Sequence, residues 1–350
     1  MDKLFYATWI AVFLMLSGCV TTSTKQDSIS SELSADEIRY QQELHITTIL
    51  DYQDKIDRVA TPLLKSSLPF CEKSSGVYLG YRVDNLSGWT PEYRNVAKTV
   101  LQLDEALKVT SVIQASPADK AGLKPGDIIL KVNDHSTIAG KGAVKDHNNL
   151  IDDLTIGDVR LKVMRGDAVI DMNISTEPVC SYGVYIIMNN AVNAFADGNN
   201  IYITSGLMRF AESDREIAMV IGHEIAHNAM QHLEARKANS GLASVFDIIS
   251  AAYGVNTHGL FSSMGGRSFS KEFEHEADYL GLYIIARAGL DIENLENFWR
   301  RMAAENPGTN DDSFFRTHPI SANRVLGVKA AIAEIEQKKG SGTQLLPSLK

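Results

Sequence analysis

Ile221-Gly222-His223-Glu224-Ile225-Ala226-His227-Asn228 reads H-E-x-x-H, and it stands inside a stretch that predicts a helix on separate grounds. Ser213 followed by Glu216 has the form of a capping box, and Ile217, Val220, Ile221 and Ile225 recur at helical spacing. A helix is therefore expected from about Asp214 to Arg236. On it, His223 and His227 stand one turn apart on one face, where both imidazoles can bind a single zinc ion with Glu224 beside them as a candidate general base. The pentad alone fits a solvated helix face equally well, because His and Glu are ordinary there. A third ligand has to come from elsewhere.

The extended pattern H-E-x-x-H-x-x-G-x-x-H is not met, since Met230 occupies its Gly position and Leu233 its third His position. His232 is one residue out of phase and reads as a solvated helix residue. A downstream carboxylate is the remaining route. Ser270 to Ala288 predicts a second helix, with Phe273, Ala277, Leu280, Ile284 and Ile285 on one broad face and Gly289 as its stop. Within it stands Glu274-His275-Glu276-Ala277-Asp278. Glu274 and Asp278 are four apart and face the same way, so one can ligate zinc while the other hydrogen-bonds a ligating imidazole. Glu276 is the rival third ligand, and taken alone the stretch is a charged helix face.

Asn193-Ala194-Phe195-Ala196, His223-Glu224-Ile225-Ala226-His227, Glu274-His275-Glu276-Ala277-Asp278 and His318-Pro319 with Arg324 occur in that order. The order resembles the gluzincin family of HtpX, BepA, Oma and the CAAX prenyl proteases, metallopeptidase family forty-eight, from roughly Tyr182 to a final helix at about Pro319 to Lys338. The resemblance implies that His223, His227 and Glu274 bind one zinc ion (Zn2+) per chain and that Glu224 is the base. It also implies that Asp278 orients a ligand histidine and that His318 and Arg324 help stabilise the oxyanion. The chain lacks the several transmembrane helices of HtpX and the prenyl proteases, which brings the expectation nearer to the soluble periplasmic branch.

With 350 residues, 44% hydrophobic and 22% charged, the chain can fold as about two domains with separate cores. Thirty-four Lys and Arg against 43 Asp and Glu give a net charge of -9 spread along the sequence, without a basic stripe, so no nucleic-acid partner is expected. Leu4 to Leu16 is an apolar run behind Lys3 that ends in Leu16-Ser17-Gly18-Cys19 and resembles the lipobox of bacterial lipoproteins. That resemblance implies a signal peptide at 1–18 and a lipid on Cys19 that anchors the chain to a membrane. Val20 rather than Asp after the cysteine implies an outer-membrane address on the periplasmic side of the envelope. Residues 19–32 read as a tether and 33–69 as an amphipathic helix on Ile38, Leu44, Ile49, Leu50, Ile56, Val59 and Leu63, ended near Pro69. Export puts Cys71 and Cys180 in an oxidising compartment, where a disulfide is the economical reading. Closing a loop of that size contributes about 4.7 kcal/mol through the unfolded chain.

Between those cysteines, Val112 to Asn133 resembles the central stretch of a bacterial PDZ domain. Pro117 can open a short helix from Ala118 to Ala121, Gly122 can cap it in the left-handed region, and Pro125-Gly126-Asp127 turns into a strand from Ile128 to Val132. Asn148 to Leu154 looks like the groove helix, and Val159 to Arg165 with Ala168 to Ile174 like a closing hairpin. Gly76-Val77-Tyr78-Leu79-Gly80 resembles the carboxylate-binding loop, which implies peptide binding at Tyr78, Leu79 and Gly80. Asp84 to Leu107 is longer than the usual connection. The implied partners are unfolded or C-terminal peptide segments of envelope proteins, taken up by strand addition.

The expected fold class is thus α+β: a PDZ-like β-barrel domain with two helices at 71–180, then a mainly helical zincin domain with a small β-sheet at 181–338. A hairpin around Asp197-Gly198-Asn199-Asn200 leads into the H-E-x-x-H helix, and its edge strand is a candidate for holding an extended substrate. Ala238 to Gly266, with Leu242, Val245, Phe246 and Ile249, predicts a further amphipathic helix. Asp291 to Glu305 predicts another helix, and 339–350 a flexible tail. The expected function is a zinc metalloendopeptidase of the bacterial cell envelope that degrades unfolded or misassembled proteins. The alternatives are a chaperone or adaptor with a latched site and a processing protease with one dedicated substrate.

Overall fold

Ile56, Val59, Ala60 and Leu63 recur at helical spacing and are buried along α1 (Ser31–Ser66), the helix on which the two halves of the chain meet. The computed structural model describes residues 30–71, 74–235, 269–305 and 318–348. The expectations for the signal peptide, Cys19, the tether up to residue 29 and the segment Ala238 to Gly266 lie outside them. Among the described residues, no helix is long and apolar enough to cross a membrane.

A short 3-10 turn, Leu68–Phe70, follows α1 and delivers Cys71 to Cys180, to which it is bonded with a Cα–Cα distance of 5.9 Å. Next to this bridge β1 (Ser75–Tyr78) pairs antiparallel with a strand near the far end of the same segment, so the chain enters and leaves the PDZ-like half at one place. Between these ends lie β2 (Tyr81–Asp84), α2 (Arg94–Val100), β3 (Lys108–Val112), α3 (Pro117–Lys120), β4 (Ile128–Val132), β5 (His135–Ser136), α4 (Ala143–Asp152), β6 (Asp158–Arg165) and β7 (Ala168–Ser175), and β8 (Glu177–Cys180) is the partner of β1. The sheet order is β2-β3-β4-β6-β7 with β5 on β4. The path ends at β2 and β7, so the expected barrel is an open sheet, packed around Leu79, Leu107, Val109, Ile129, Leu161 and Ile174.

The predicted short helix, turn and strand are present. Ser116 caps α3 through Asp119 N, and Gly122 and Gly126 take φ values of +84° and +93°. The groove helix differs: α4 starts at Ala143 rather than Asn148, because Gly142 at φ +91° turns the chain into it without a side-chain cap. The long connection after β2 holds α2, whose Val96 and Ala97 close with Leu103 over Ile46 of α1.

The second half opens with a three-stranded sheet in the order β10-β11-β9, made from β9 (Gly183–Ile187), β10 (Ala194–Ala196) and β11 (Asn200–Thr204). The predicted hairpin is the antiparallel pair of β10 and β11, and β9 runs parallel to β11. Then come α5 (Ser205–Phe210), α6 (Asp214–Ala229), α7 (Lys271–Arg287), α8 (Glu296–Glu305) and α9 (Ala322–Gly340). Ser213, Ser270 and Ser321 cap α6, α7 and α9 by accepting from the backbone three residues on. Glu216 reaches the backbone N–H of Glu212 rather than closing the box on Ser213.

Helices α6 and α7 cross where two glycines meet. A Cβ on Gly281 would lie 3.0 Å from Gly222 C and from His223 N, and one on Gly222 would lie 3.1 Å from Gly281 O. This backbone approach sets the H-E-x-x-H turn directly against the acidic turns of α7. Three expectations fail in this half. The first helix ends at Ala229 instead of Arg236, because Gln231 at φ +54° breaks it and residues 232–235 form a separate turn. α8 begins at Glu296 rather than Asp291, after Asn294 at φ +61°. The tail is held rather than loose: Leu345 O accepts from Arg287, Leu346 O from Lys338, and Ser348 N donates to the Tyr279 hydroxyl.

Candidate metal centre

His223, Glu224 and His227 come from α6, Glu274 and Asp278 from α7, His318 from the turn before α9 and Arg324 from its first turn, and each is 2% exposed or less. Burial of so much ionisable surface is costly unless every group finds a partner. The Nε2 atoms of His223 and His227 face each other at 3.0 Å, and Glu274 lies 3.6 Å and 3.5 Å from them through Oε2 and Oε1. His318 Nδ1 is 2.9 Å from Glu274 Oε1 and 3.3 Å from His223 Nε2. One donor atom from each of His223, His227, Glu274 and His318 lies within 4.8 Å of the others.

Outside this ring the partners are fixed by charge. His223 Nδ1 stands 3.0 Å from Asp278 Oδ1, which leaves Nε2 directed inward. Arg324 grips Asp278 with Nε at 2.7 Å and Nη2 at 2.8 Å, and places Nη1 2.6 Å from Glu274 Oε2. Its Nη1 also donates to Pro319 O, and its guanidinium lies over Trp299, 5.2 Å from the ring centroid. The oxyanion role expected for Arg324 does not match these contacts, which commit the guanidinium to the two carboxylates of α7. His318 Nε2 lies 3.6 Å from Glu224 Oε1.

Burial pushes the Glu274 carboxyl up, yet the charge of His318 and the hydrogen bonds to His227 and His318 hold it well below the ordinary carboxylate range. Burial holds the His227 imidazole well below its ordinary value, in the neutral form that ligates metals. Burial raises Glu224, which His318 and His223 only partly oppose. Both Glu224 oxygens are buried without a hydrogen-bond partner among the described residues. Two opposed imidazole nitrogens, an ionised carboxylate and, beside them, a carboxylate without a hydrogen-bond partner among the described residues form a donor set that fits zinc.

Glu276 is not part of this ring. Its carboxylate is half-exposed and bonds His232 at 2.9 Å. His232, expected in solvent, is 1% exposed, with Nδ1 3.0 Å from His227 Nδ1 and its ring stacked on Phe273. The break at Gln231 carries it there, and nothing in helical periodicity announces that break.

In the PDZ-like half, Tyr78 ends β1, and Leu79 and Gly80 form the connection to β2. Leu79 O accepts from Ala118 N and Gly80 O from Ile113 N, both at 2.9 Å. A Cβ on Gly80 would lie 2.2 Å from the Ser116 Cβ, and its φ of +86° favours glycine as well. Between β2 and α4, the Tyr81 hydroxyl meets His147 Nε2 at 3.2 Å.

The model of peptidase family M48 matches residues 159–332, and that of the PDZ domain matches residues 77–176. The chain is similar to the mitochondrial metalloendopeptidase OMA1 of Schizosaccharomyces pombe, 28% identical over 45% of this chain and 48% of that protein. It is similar to a β-barrel assembly-enhancing protease of Yersinia pestis, at 25% identity over 65% of this chain and 51% of the other. It also resembles the metalloprotease YcaL of Escherichia coli, at 32% identity over 46% of this chain and 65% of that one. The chain thus spans about half the length of the first two and 65% of YcaL.

Proposed function

The chain belongs to peptidase family M48 and carries a PDZ domain, and from that premise we propose that it is a zinc-dependent endopeptidase of the bacterial cell envelope. His223, His227 and Glu274 hold one zinc ion, and Glu224 is the base. The observation that carries this reading is the buried ring of donors with, at its edge, a Glu224 carboxylate that has no hydrogen-bond partner among the described residues. Zinc bound there supplies the Lewis acidity that makes water a nucleophile near neutral pH. Glu224 would serve as the base, taking a proton from the attacking water and passing it to the leaving amine. Asp278 holds His223 by its outer nitrogen, Arg324 holds Asp278 and Glu274, and His318 stands beside Glu224 where it can meet the developing oxyanion. Strand β10, at the edge of its sheet and against α6, is the place for an extended substrate.

The test is zinc quantification and cleavage of an unfolded protein such as casein by wild type and Glu224→Gln. Wild type is expected to hold one zinc per chain and cleave; the variant is expected to keep the zinc and lose about 10²–10⁴-fold in rate. A zinc-replete variant cleaving at the wild-type rate would sink the assignment. A second reading, a binding protein with a latched site, is favoured by one observation: His318 Nδ1 lies inside the donor ring. Zinc-replete wild type that bound unfolded protein without cleaving it would decide for that reading.

Lipidation of Cys19 places the chain on the periplasmic side of the envelope, at the outer membrane, and the Cys71–Cys180 bridge supports an oxidising compartment. The substrates are unfolded or misassembled envelope proteins, a class suggested by the Yersinia relative's being a β-barrel assembly-enhancing protease. Their free C-terminal segments dock beside Tyr78, Leu79 and Gly80, where the left-handed Gly80 shapes the loop ahead of the edge strand β2. Proteins that accumulate uncleaved in cells carrying Glu224→Gln would separate a broad degradation role from one dedicated substrate.

A further inference from the structure

Helix α7 offers four acidic side chains in alternate positions, Glu272, Glu274, Glu276 and Asp278, and only Glu274 and Asp278 have been given a part in the metal centre. We infer that Glu276 also serves the metal centre, through His232, as the outer end of a relay that orients His227. The inference rests on the zinc reading proposed above. The Glu276 carboxylate can only accept, so His232 Nε2, 2.9 Å away, carries the proton. The other nitrogen of the neutral ring, Nδ1, is then an acceptor. It faces His227 Nδ1 at 3.0 Å, so His227 donates from Nδ1 and directs the lone pair of Nε2 into the donor ring. His223 reaches the same state in one step, because its Nδ1 stands directly against the Asp278 carboxylate at 3.0 Å. The two ligand imidazoles are therefore held by carboxylates of one helix, one directly and one through a second imidazole.

The geometry shows that the arrangement is built rather than incidental. An unbroken helix would turn His232, five residues after His227, about 140° away from it. The left-handed Gln231 ends the helix and returns His232 to the outer nitrogen of His227. Phe273 stacks on the His232 ring with centroids 4.4 Å apart, and Phe269 lies 4.1 Å from the His227 ring, which restricts how either imidazole rotates. His232 and Glu276 are positioning residues, since neither has a place in the donor ring.

The test uses the full chain and measures zinc affinity by competition with a chelator, together with the visible absorption of the cobalt-substituted protein. His232→Phe fills the site without an acceptor and is expected to weaken zinc 10–100-fold and to shift the cobalt bands. His232→Asn places an oxygen about where Nδ1 stood and is expected to restore affinity to within a few-fold of wild type. Glu276→Ala, at a half-exposed position that folding tolerates, is expected to weaken zinc less than His232→Phe but in the same direction. Folded His232→Phe and Glu276→Ala with wild-type affinity and unchanged cobalt bands would overturn the relay and leave the zinc reading standing. A wild-type chain that bound no zinc would overturn the zinc reading, and the relay with it.

Discussion

The two halves of this chain bury ionisable groups in opposite ways. In the PDZ-like half the buried groups are few and lie apart from one another, and of them His147 keeps one ring nitrogen, Nδ1, without a hydrogen-bond partner among the described residues. Asp127 is gripped by Arg165 at 2.7 Å across the turn into β4, and His147 shares its Nε2 with a tyrosine hydroxyl. In the other half, seven ionisable side chains from three helices and a turn converge, and both Glu224 oxygens stay without a hydrogen-bond partner among the described residues, with His318 Nε2 3.6 Å away. The first pattern is structural: each charge has its counter-charge, and the histidine stays neutral. The second is held together by Arg324 on one side and requires a cation on the other, which is how a site differs from a scaffold.

The contrast breaks most sharply at Arg324. Arg324→Ala leaves Asp278 and Glu274 buried beside each other without their counter-charge and is expected to cost about 3–5 kcal/mol in denaturant unfolding of the zinc-free protein. Added zinc should restore part of that loss, whereas zinc should have no such effect on a variant of the Asp127–Arg165 pair.

His147 gives the next largest effect, and it depends on pH. Burial lowers its pKa from 6.5 to about 4, so the unfolded chain binds a proton that the folded chain refuses. Its contribution to stability is therefore complete above about 6.5 and is lost as pH falls towards about 4, a change of about 3 kcal/mol. His147→Gln, which keeps an acceptor for Tyr81, should flatten that part of the profile in unfolding followed by a PDZ-half probe.

Gly281→Ala is expected to cost about 2 kcal/mol by forcing α6 and α7 apart, and zinc affinity should fall with it because the same crossing sets His223 against Asp278. Gly122→Ala meets nothing within 4 Å, so its cost is limited to the strain of φ +84° and zinc affinity should not change. The smallest effects are alike in the two halves. Ser213→Ala and Ser116→Ala each remove one side-chain cap and should each cost about 1 kcal/mol in thermal or denaturant unfolding. A much larger loss for Ser213→Ala would show that fraying of α6 reaches the donor ring.

Most of the architecture was legible in the residues because the signals are local. The cap at Ser213, the left-handed Gly122, the turn at Pro125-Gly126-Asp127 and the closing hairpin of the PDZ-like half depend on a few neighbouring residues, and they stand where they were expected. The errors lie where a boundary depends on a backbone conformation that the residue type does not announce. Gln231 and Asn294 take positive φ without being glycine, and Gly142 starts α4 without a side-chain cap. The tail was misread for a different reason: its anchors, Arg287, Lys338 and Tyr279, reach it from helices whose packing is not written in the tail itself.

The sequence by itself determined that two helices carry H-E-x-x-H and an acidic triplet, that a PDZ-like segment lies ahead of them between two cysteines, and that zinc is the cation such residues suit. With the family resemblance it put Glu274 ahead of its rival Glu276, counted His232 as solvent-facing and gave Arg324 a part at the oxyanion. Where these side chains stand was a matter for the tertiary structure. The close approach of Gly222 and Gly281 points Glu274 inward, the break at Gln231 turns His232 back onto His227, and the start of α9 buries Arg324 against Asp278. Helical periodicity states which residues share a face, but which neighbour that face meets is a property of how the helices cross.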